Sequence, residues 1–487
     1  MQHSSFQLLV SLSLIAHSWV SINAATRPRY GGTLHIEMQA LVNTLNPEAL
    51  TSGMEESIAR RGLAHLVFDS LTQKDEKDQL RPGLAVAWKA DNDLRRWELR
   101  LRPHVRLHDG SQLSPSDVVN ALSRTLPGFS VSAIGQTLVV QSPTPDPNLP
   151  QELAEESHPV YVVSAEGKLL GTGPFQIAEW NPGQRILLAS HEGYWGGRPF
   201  LDAVEIQMNR SPQEQLVDLE LGKADVVELA PDAVRRAMLR NQRVWTSAPL
   251  ELVALRFGAG RPAVKDKRLR KALALSIDRT AIHRVLLQKQ GEPSGGLLPQ
   301  WISGYAFLFP MSRDLEQARQ LASGLSPAAK TASLAFDAGD HLAQLIAERV
   351  AVNCRDAGIV LQVRGQPPVP AFNPQAEKDD IRLVRLRMLS NNPPEALKQV
   401  LNYLSVSNPE TLDASTSPED HFNVENGVLQ DYEVVPLFHL PVILGLSSRV
   451  RGWPVTRPDQ IYTLPLDSIW LDEFSPTTSE NNRELSN

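Results

Sequence analysis

Three features of this chain have the residue types and spacing to do chemistry: Gly171-Thr172-Gly173, the pair His104 and His108, and Cys354. A glycine loop holds phosphate when it opens a helix, because free backbone N–H groups and the helix dipole then face the anion. After Gly173 the chain reads P-F-Q-I-A-E-W, then the turn Asn181-Pro182-Gly183, then the strand-like R-I-L-L-A-S. The segment reads as a hairpin, with the rings of Tyr194 and Trp195 buried to pin the turn that follows. His104 and His108 have an i, i+4 spacing that suits a metal only on a helix. They follow Pro103 and an alternating strand, so no metal site is expected. Cys354 falls late in an amphipathic helix and reads as a small buried hydrophobe. Neither G-x-S-x-G nor H-E-x-x-H occurs, and Trp195 stands where His191-Glu192 would need its second histidine. No catalytic residues and no cofactor are expected.

The elements that must position any site follow from local grammar. Trp97, Leu99 and Leu101 alternate with Glu98, Arg100 and Arg102, the period of a half-buried strand. Ser114, Pro115 and Asp117 spell an N-cap, a first helical position and a capping box. Ser211, Pro212 and Glu214 repeat it, with Gly222 ending the helix and a strand over residues 224–229. Asp266, Asp278 and Asp340 read as further caps, and Gly358 as a helix stop before a strand at 359–363. Strands and helices alternate, which argues for α/β domains with mixed sheets.

With 487 residues the chain is long enough for several cores. A formal charge of −7 provides no net positive field for nucleic acid or an anionic membrane. A single cysteine excludes an intrachain disulfide. The apolar run Phe6–Ala16 and the small-residue stretch Ser21–Ala25 read as an export signal over residues 1–24, although Met1–Ser5 carries no Lys or Arg. No cysteine stands directly after the expected cleavage site, and no later run reaches the ~18 apolar residues of a membrane helix. The expected product is soluble, periplasmic and without a lipid anchor.

Several blocks of sequence, in one order, then resemble a known family. They are RYGGTLHIEM, LNPEALTSG, LRPGLAVAWKADNDLRRWELRLRPHVRLHDGSQLSPSDVV, GTGPFQIAEWNPG, HEGYWGGRPFLDAVEI, KRLRKALALSIDRTAI and VPLFHLPVILGLSSRVRGW. Together they are similar to the family 5 extracellular solute-binding proteins, the dipeptide, oligopeptide and nickel receptors of ABC importers. The resemblance covers most of residues 30–472. It implies a type II periplasmic-binding-protein fold: two α/β lobes with mixed sheets joined by hinge strands, and an α+β domain inserted in the first lobe. Mapped here, lobe one is expected at 25–60, 166–258 and 441–475, the insert at 61–165, lobe two at 259–440 and a disordered tail at 476–487. Leu252–Phe257 is the expected hinge crossing. The resemblance also implies the mechanism: a peptide or other small solute bridges both lobes, favours their closed state, and is handed to an ABC permease at the inner membrane. A monomer is expected.

The same resemblance nominates site residues. Thr51, Ser52 and Gly53 match the loop that approaches the ligand in dipeptide receptors, with Met54 packing on it. Arg256 on the expected hinge strand is a candidate positive charge, and Trp301 a candidate cleft wall. Departures concern the solute. Family peptide receptors hold the ligand amino group with an Asp in lobe two, where this chain reads R-L-R-M-L-S-N-N-P-P-E-A-L from Arg385. They hold the carboxylate with an arginine where this chain reads Phe336-Asp337-Ala338-Gly339-Asp340. Both handles are missing by this reading, which puts a free dipeptide in doubt. The insert and the stretch between Leu397 and Tyr432 are also short for the family. The competing expectations are a non-transporting sensor or scaffold on the same fold, and an exported hydrolase.

Overall fold

The computed structural model describes residues 27–49, 54–74, 79–154, 158–258, 262–305, 311–367, 378–388, 390–406, 417–454 and 466–472. The expected leader over 1–24, the tail over 476–487, and Thr51, Ser52 and Gly53 lie outside them.

Local signals act as their chemistry dictates. Helix Pro115–Thr125 starts with a complete capping box: the Asp117 N–H donates to the Ser114 side chain, and the Asp117 carboxylate accepts the Ser114 N–H. Helix Pro212–Glu220 repeats the motif with Ser211 and Glu214. Asp266, Asp278 and Asp340 each accept a backbone N–H from the first turn of the helix that follows. Gly222 and Gly358 take φ of +71° and +79°, the left-handed geometry that ends a helix at little cost to glycine.

Among the described residues eleven strands hydrogen-bond into one continuous sheet, with the short strand Glu292–Pro293 pairing on Val434–Leu446 off the main order, but the packing divides it. In spatial order the first part is Phe175–Asn181, Arg185–Ser190, Ala203–Gln207, Thr33–Glu37 and Val226–Glu228. The second part is Ile381–Arg387, Thr331–Asp337 and Val360–Gln366. Two long antiparallel strands, Arg243–Phe257 and Val434–Leu446, run through both parts and join them. Leu252–Phe257 and Val434–Leu440 pack in one hydrophobic core with helices Lys267–Ser276 and His341–Arg355. Leu444 and Leu446 pack in another, with Leu34, Ile36, Val204 and Ile206. The molecule therefore has two lobes built on separate cores.

A third core belongs to a smaller body with a four-stranded antiparallel sheet: Ala85–Ala90, Arg96–Leu101, Thr137–Gln141 and Ser130–Ile134 in spatial order. Trp97, Leu99 and Leu101 are buried in it.

Two expected boundaries need correction. The first core also takes Leu63, Ala64, Leu66, Val67 and Phe68, so the chain leaves lobe one after helix Met54–Val67 rather than at residue 60. Leu252–Phe257 is not the crossing: it lies wholly within the second core. The crossing is earlier, where the ladder between the two long strands slips between Thr246 and Pro249 and again between Pro249 and Glu251. Pro249 there faces Pro441. Proline has no N–H to give a ladder, so two facing prolines interrupt the sheet where the cores part.

Candidate functional site

Two places could be functional: the glycine loop that attracts attention in the sequence, and the zone where the strands cross.

The glycine loop is a joint. A Cβ on Gly171 would lie 1.9 Å from the Val67 carbonyl oxygen, and one on Gly173 2.7 Å from it. The Gly173 N–H donates to that oxygen at 3.0 Å. The loop thus packs on the carboxyl end of helix Met54–Val67, whose partial charge is negative and would repel a phosphate. Beside it Asp69 is buried and accepts from Thr172 Oγ1 at 2.8 Å, Trp195 Nε1 at 2.7 Å and Tyr194 Oη at 3.3 Å. Burial pushes the Asp69 carboxyl up, and these three donors oppose the shift. His108 Nε2 and His191 Nδ1 both approach the Gly173 carbonyl oxygen, at 3.2 and 3.0 Å. Burial pulls His108 down to about 4, so the ring is neutral. His104 is exposed with φ of 58° and shares no helix with it. These groups tie the small body to lobe one.

The crossing zone is the second candidate, because strand ends of both lobes converge on it. In the first lobe Thr33–Glu37, Ala203–Gln207 and Val226–Glu228 are parallel. Glu228 pairs with Leu444, nearer the crossing than the Val226–Leu446 pair, so these strands point their carboxyl ends at the crossing. In the second lobe Arg387 pairs with Glu251 and Ile381 with Phe257, so strand Ile381–Arg387 and its parallel neighbour Thr331–Asp337 also end towards it. Ligands of open α/β sheets bind outside the carboxyl ends of the strands, and here two such edges face one hinge.

Each edge carries charge. On lobe one Glu228 Oε2 accepts the Gln39 backbone N–H at 2.8 Å and its side-chain amide at 3.3 Å. Glu37 is buried, with Arg210 Nε 3.7 Å from its Oε1 and Asp218 held by Arg210 Nη2 at 2.7 Å. Burial first, and Asp218 second, push the Glu37 carboxyl up to about 7. On lobe two Arg385 donates to both Glu251 and Asp340. Arg387 stands 3.8 Å from Glu251 Oε2. Burial also raises the Asp337 carboxyl.

The sequence-nominated residues scatter. Met54 opens helix Met54–Val67. Arg256 must be corrected: it is buried seven residues beyond Pro249, and its guanidinium donates to the carbonyls of Leu404, Phe257, Glu433 and Ser405. Burial pulls it down to about 10. It is a structural cation that ties a strand to a helix end. Trp301 is at the hinge itself, half-buried against the second core, with Nε1 donating to the Pro249 carbonyl at 2.8 Å. Sequence reasoning missed Glu251, Arg385 and Arg387, whose association depends on sheet register. Alternation in I-R-L-V-R-L-R, with Arg385 and Arg387 on one face, was the available signal.

Comparison with known proteins follows the same lines. The family model for bacterial extracellular solute-binding proteins, family 5 (middle), matches residues 79–409. The oligopeptide-binding protein AppA of Bacillus subtilis is 23% identical over 299 residues, 55% of this chain and 54% of that protein. A stretch of 184 residues is 30% identical to the HTH-type transcriptional regulator SgrR of Yersinia pestis, 32% of this chain and 31% of that one. The chain thus spans about half the length, or less, of these curated relatives. The solved structure of AppA from Bacillus subtilis with a nonapeptide superposes with a TM-score of 0.76 at 19% identity, covering 92% of this chain and all of that one. The expected type II periplasmic-binding-protein fold is the observed one.

Proposed function

This chain belongs to the family 5 bacterial extracellular solute-binding proteins, and on that premise we propose that it is the solute-capturing subunit of a peptide-type ABC importer. It would bind a peptide or similar small solute between its lobes, close on it, and deliver it to a membrane permease. The observation that carries the reading is the hinge: two separate cores linked by two strands, each with a proline at the point of crossing. A solute touching both charged edges would favour the closed form, because only there are both sets of contacts made. Members of the family are binding proteins, which supports a binding role for this chain rather than a catalytic one. The family is extracellular, and among the described residues no helix is long and apolar enough to cross a membrane. Export through the leader over 1–24, and a monomeric state, complete the proposal.

The buried Cys354 leaves the chain free for cysteine labelling elsewhere. Leu239 on the first lobe is 75% exposed and Val352 on the second 44%. Fluorophores on L239C/V352C should move closer when tri- to pentapeptides are added, with a matching rise in Tm. Unchanged energy transfer and unchanged Tm across peptides, sugars and metal chelates would refute solute capture.

A second reading is a sensor that captures solute without importing it, and the 30% identical stretch shared with a transcriptional regulator favours it. Uptake of the bound solute by cells that carry this protein and its permease separates the two.

A further inference from the structure

We propose that Arg387 is the anchor for a carboxylate group of the captured solute, an inference that rests on the solute-capture reading above. The side chain is only 25% exposed, yet none of its five N–H groups makes a hydrogen bond to a described residue, and Nε is fully buried. A buried guanidinium nitrogen normally finds an acceptor, whereas Arg387 leaves Nε without one and keeps its two terminal nitrogens open to solvent at the crossing. Arg256 finds four carbonyls, and Arg279, 2% exposed, finds those of Pro436, Ala274 and Met311. Arg387 has one acid in range, Glu251, at 3.8 Å, beyond hydrogen-bond distance.

Its place in the fold explains why the group is kept idle. Arg387 ends strand Ile381–Arg387 and lies opposite Glu251, two residues past the Pro249 crossing. Four charged groups share this strand-end edge with it: Glu251, 3.8 Å away, and Arg385, Asp340 and Asp337. Arg385 bridges Glu251 and Asp340, so both acids already have a tight cationic partner. Asp337 accepts the Gly339 N–H, and its burial favours the uncharged form. Helix His341–Arg355 begins at the same edge, capped by Asp340, with its positive end towards the crossing. Arg387 is therefore the cation left over, and a planar guanidinium best fits a planar carboxylate, through two parallel N–H···O bonds. A phosphate dianion would bring a second charge among three acids and fits less well.

The test titrates tri-, tetra- and penta-alanine, each as free acid and as C-terminal amide, against the wild-type protein, Arg387→Gln and Arg387→Lys, followed by Tm and by calorimetry. The wild type should bind free acids at least tenfold more tightly than amides, Arg387→Gln should lose that preference, and Arg387→Lys should keep part of it. Each variant's ligand-free Tm checks that it folds. Equal binding of acid and amide by the wild type, or a preference that survives Arg387→Gln, overturns the anchor while leaving peptide capture standing. If no alanine peptide binds the wild type, peptide capture fails instead, and succinate and citrate on the same three proteins decide the anchor. Binding lost in Arg387→Gln then supports it, and no binding to the wild type, or equal binding by both, overturns it.

Discussion

Glu37 shows how much one side chain's surroundings decide. It sits at the end of a strand whose Leu34 and Ile36 enter the core, and is itself 5% exposed. Arg210 is too far to neutralise it well, and Asp218 competes for the same guanidinium. Its folded pKa of about 7 stands above the ordinary 4.5. The folded state therefore holds a proton that the unfolded chain releases between those values. Stability from this group is complete below about 4.5 and is lost as pH rises through about 7. The loss is on the order of 2 kcal/mol, with allowance for the nearby arginine. Glu37→Gln, which stays neutral, should flatten the dependence of Tm on pH across that window. An unchanged slope in the variant would place the titration elsewhere. Arg256 and Arg387 make the same point with opposite outcomes. Both lie on strands of one sheet, but the first meets four carbonyls and the second none among the described residues.

At the scale of elements, two glycines should respond to alanine with opposite sign. Gly171 has no room for a Cβ, because the Val67 carbonyl of the helix end stands in its place. Gly171→Ala must push the hairpin from the helix or shift both, at a cost of about 3 kcal/mol. Gly427 lies inside helix Pro418–Gln430 with nothing near its Cβ position. Gly427→Ala should stabilise by roughly 0.5–1 kcal/mol, since alanine loses less entropy in a helix. Thermal denaturation of both variants checks the pair, and a stabilised Gly171→Ala would mean that the joint is not tightly packed. The contrast also marks what the sequence made legible. Capping boxes at Ser114 and Ser211 and the strand at Trp97–Leu101 were readable because their causes lie within a few residues. The hinge was misplaced by a few residues because it depends on Pro249 meeting Pro441, a register between distant strands. The charged pairs at the edge of lobe two were not legible for the same reason. Arg385 reaches Glu251 across 134 residues of sequence and Asp340 across 45, and no local pattern announces either pairing.

For the whole molecule, separate cores imply separate melting. Cooperative unfolding needs contacts that fail together, and the first and second cores are joined by two strands that are interrupted where they cross. The small body adds a third core, held to lobe one through Asp69 and the Gly171–Gly173 loop. Scanning calorimetry of the solute-free protein should thus give a calorimetric enthalpy larger than the van't Hoff enthalpy, with at least two transitions. A solute held by both edges changes this, because losing either lobe then costs the binding energy as well. At 100 times its Kd the added stability is about 2.7 kcal/mol, enough to draw the two main transitions together. Arg387→Gln should weaken that merging, and its solute-free profile, measured beside the wild type's, separates lost solute binding from the loss of its 3.8 Å ion pair with Glu251. A single two-state transition without solute would mean that the lobes are energetically one body, and closure about the Pro249–Pro441 hinge would lose its basis.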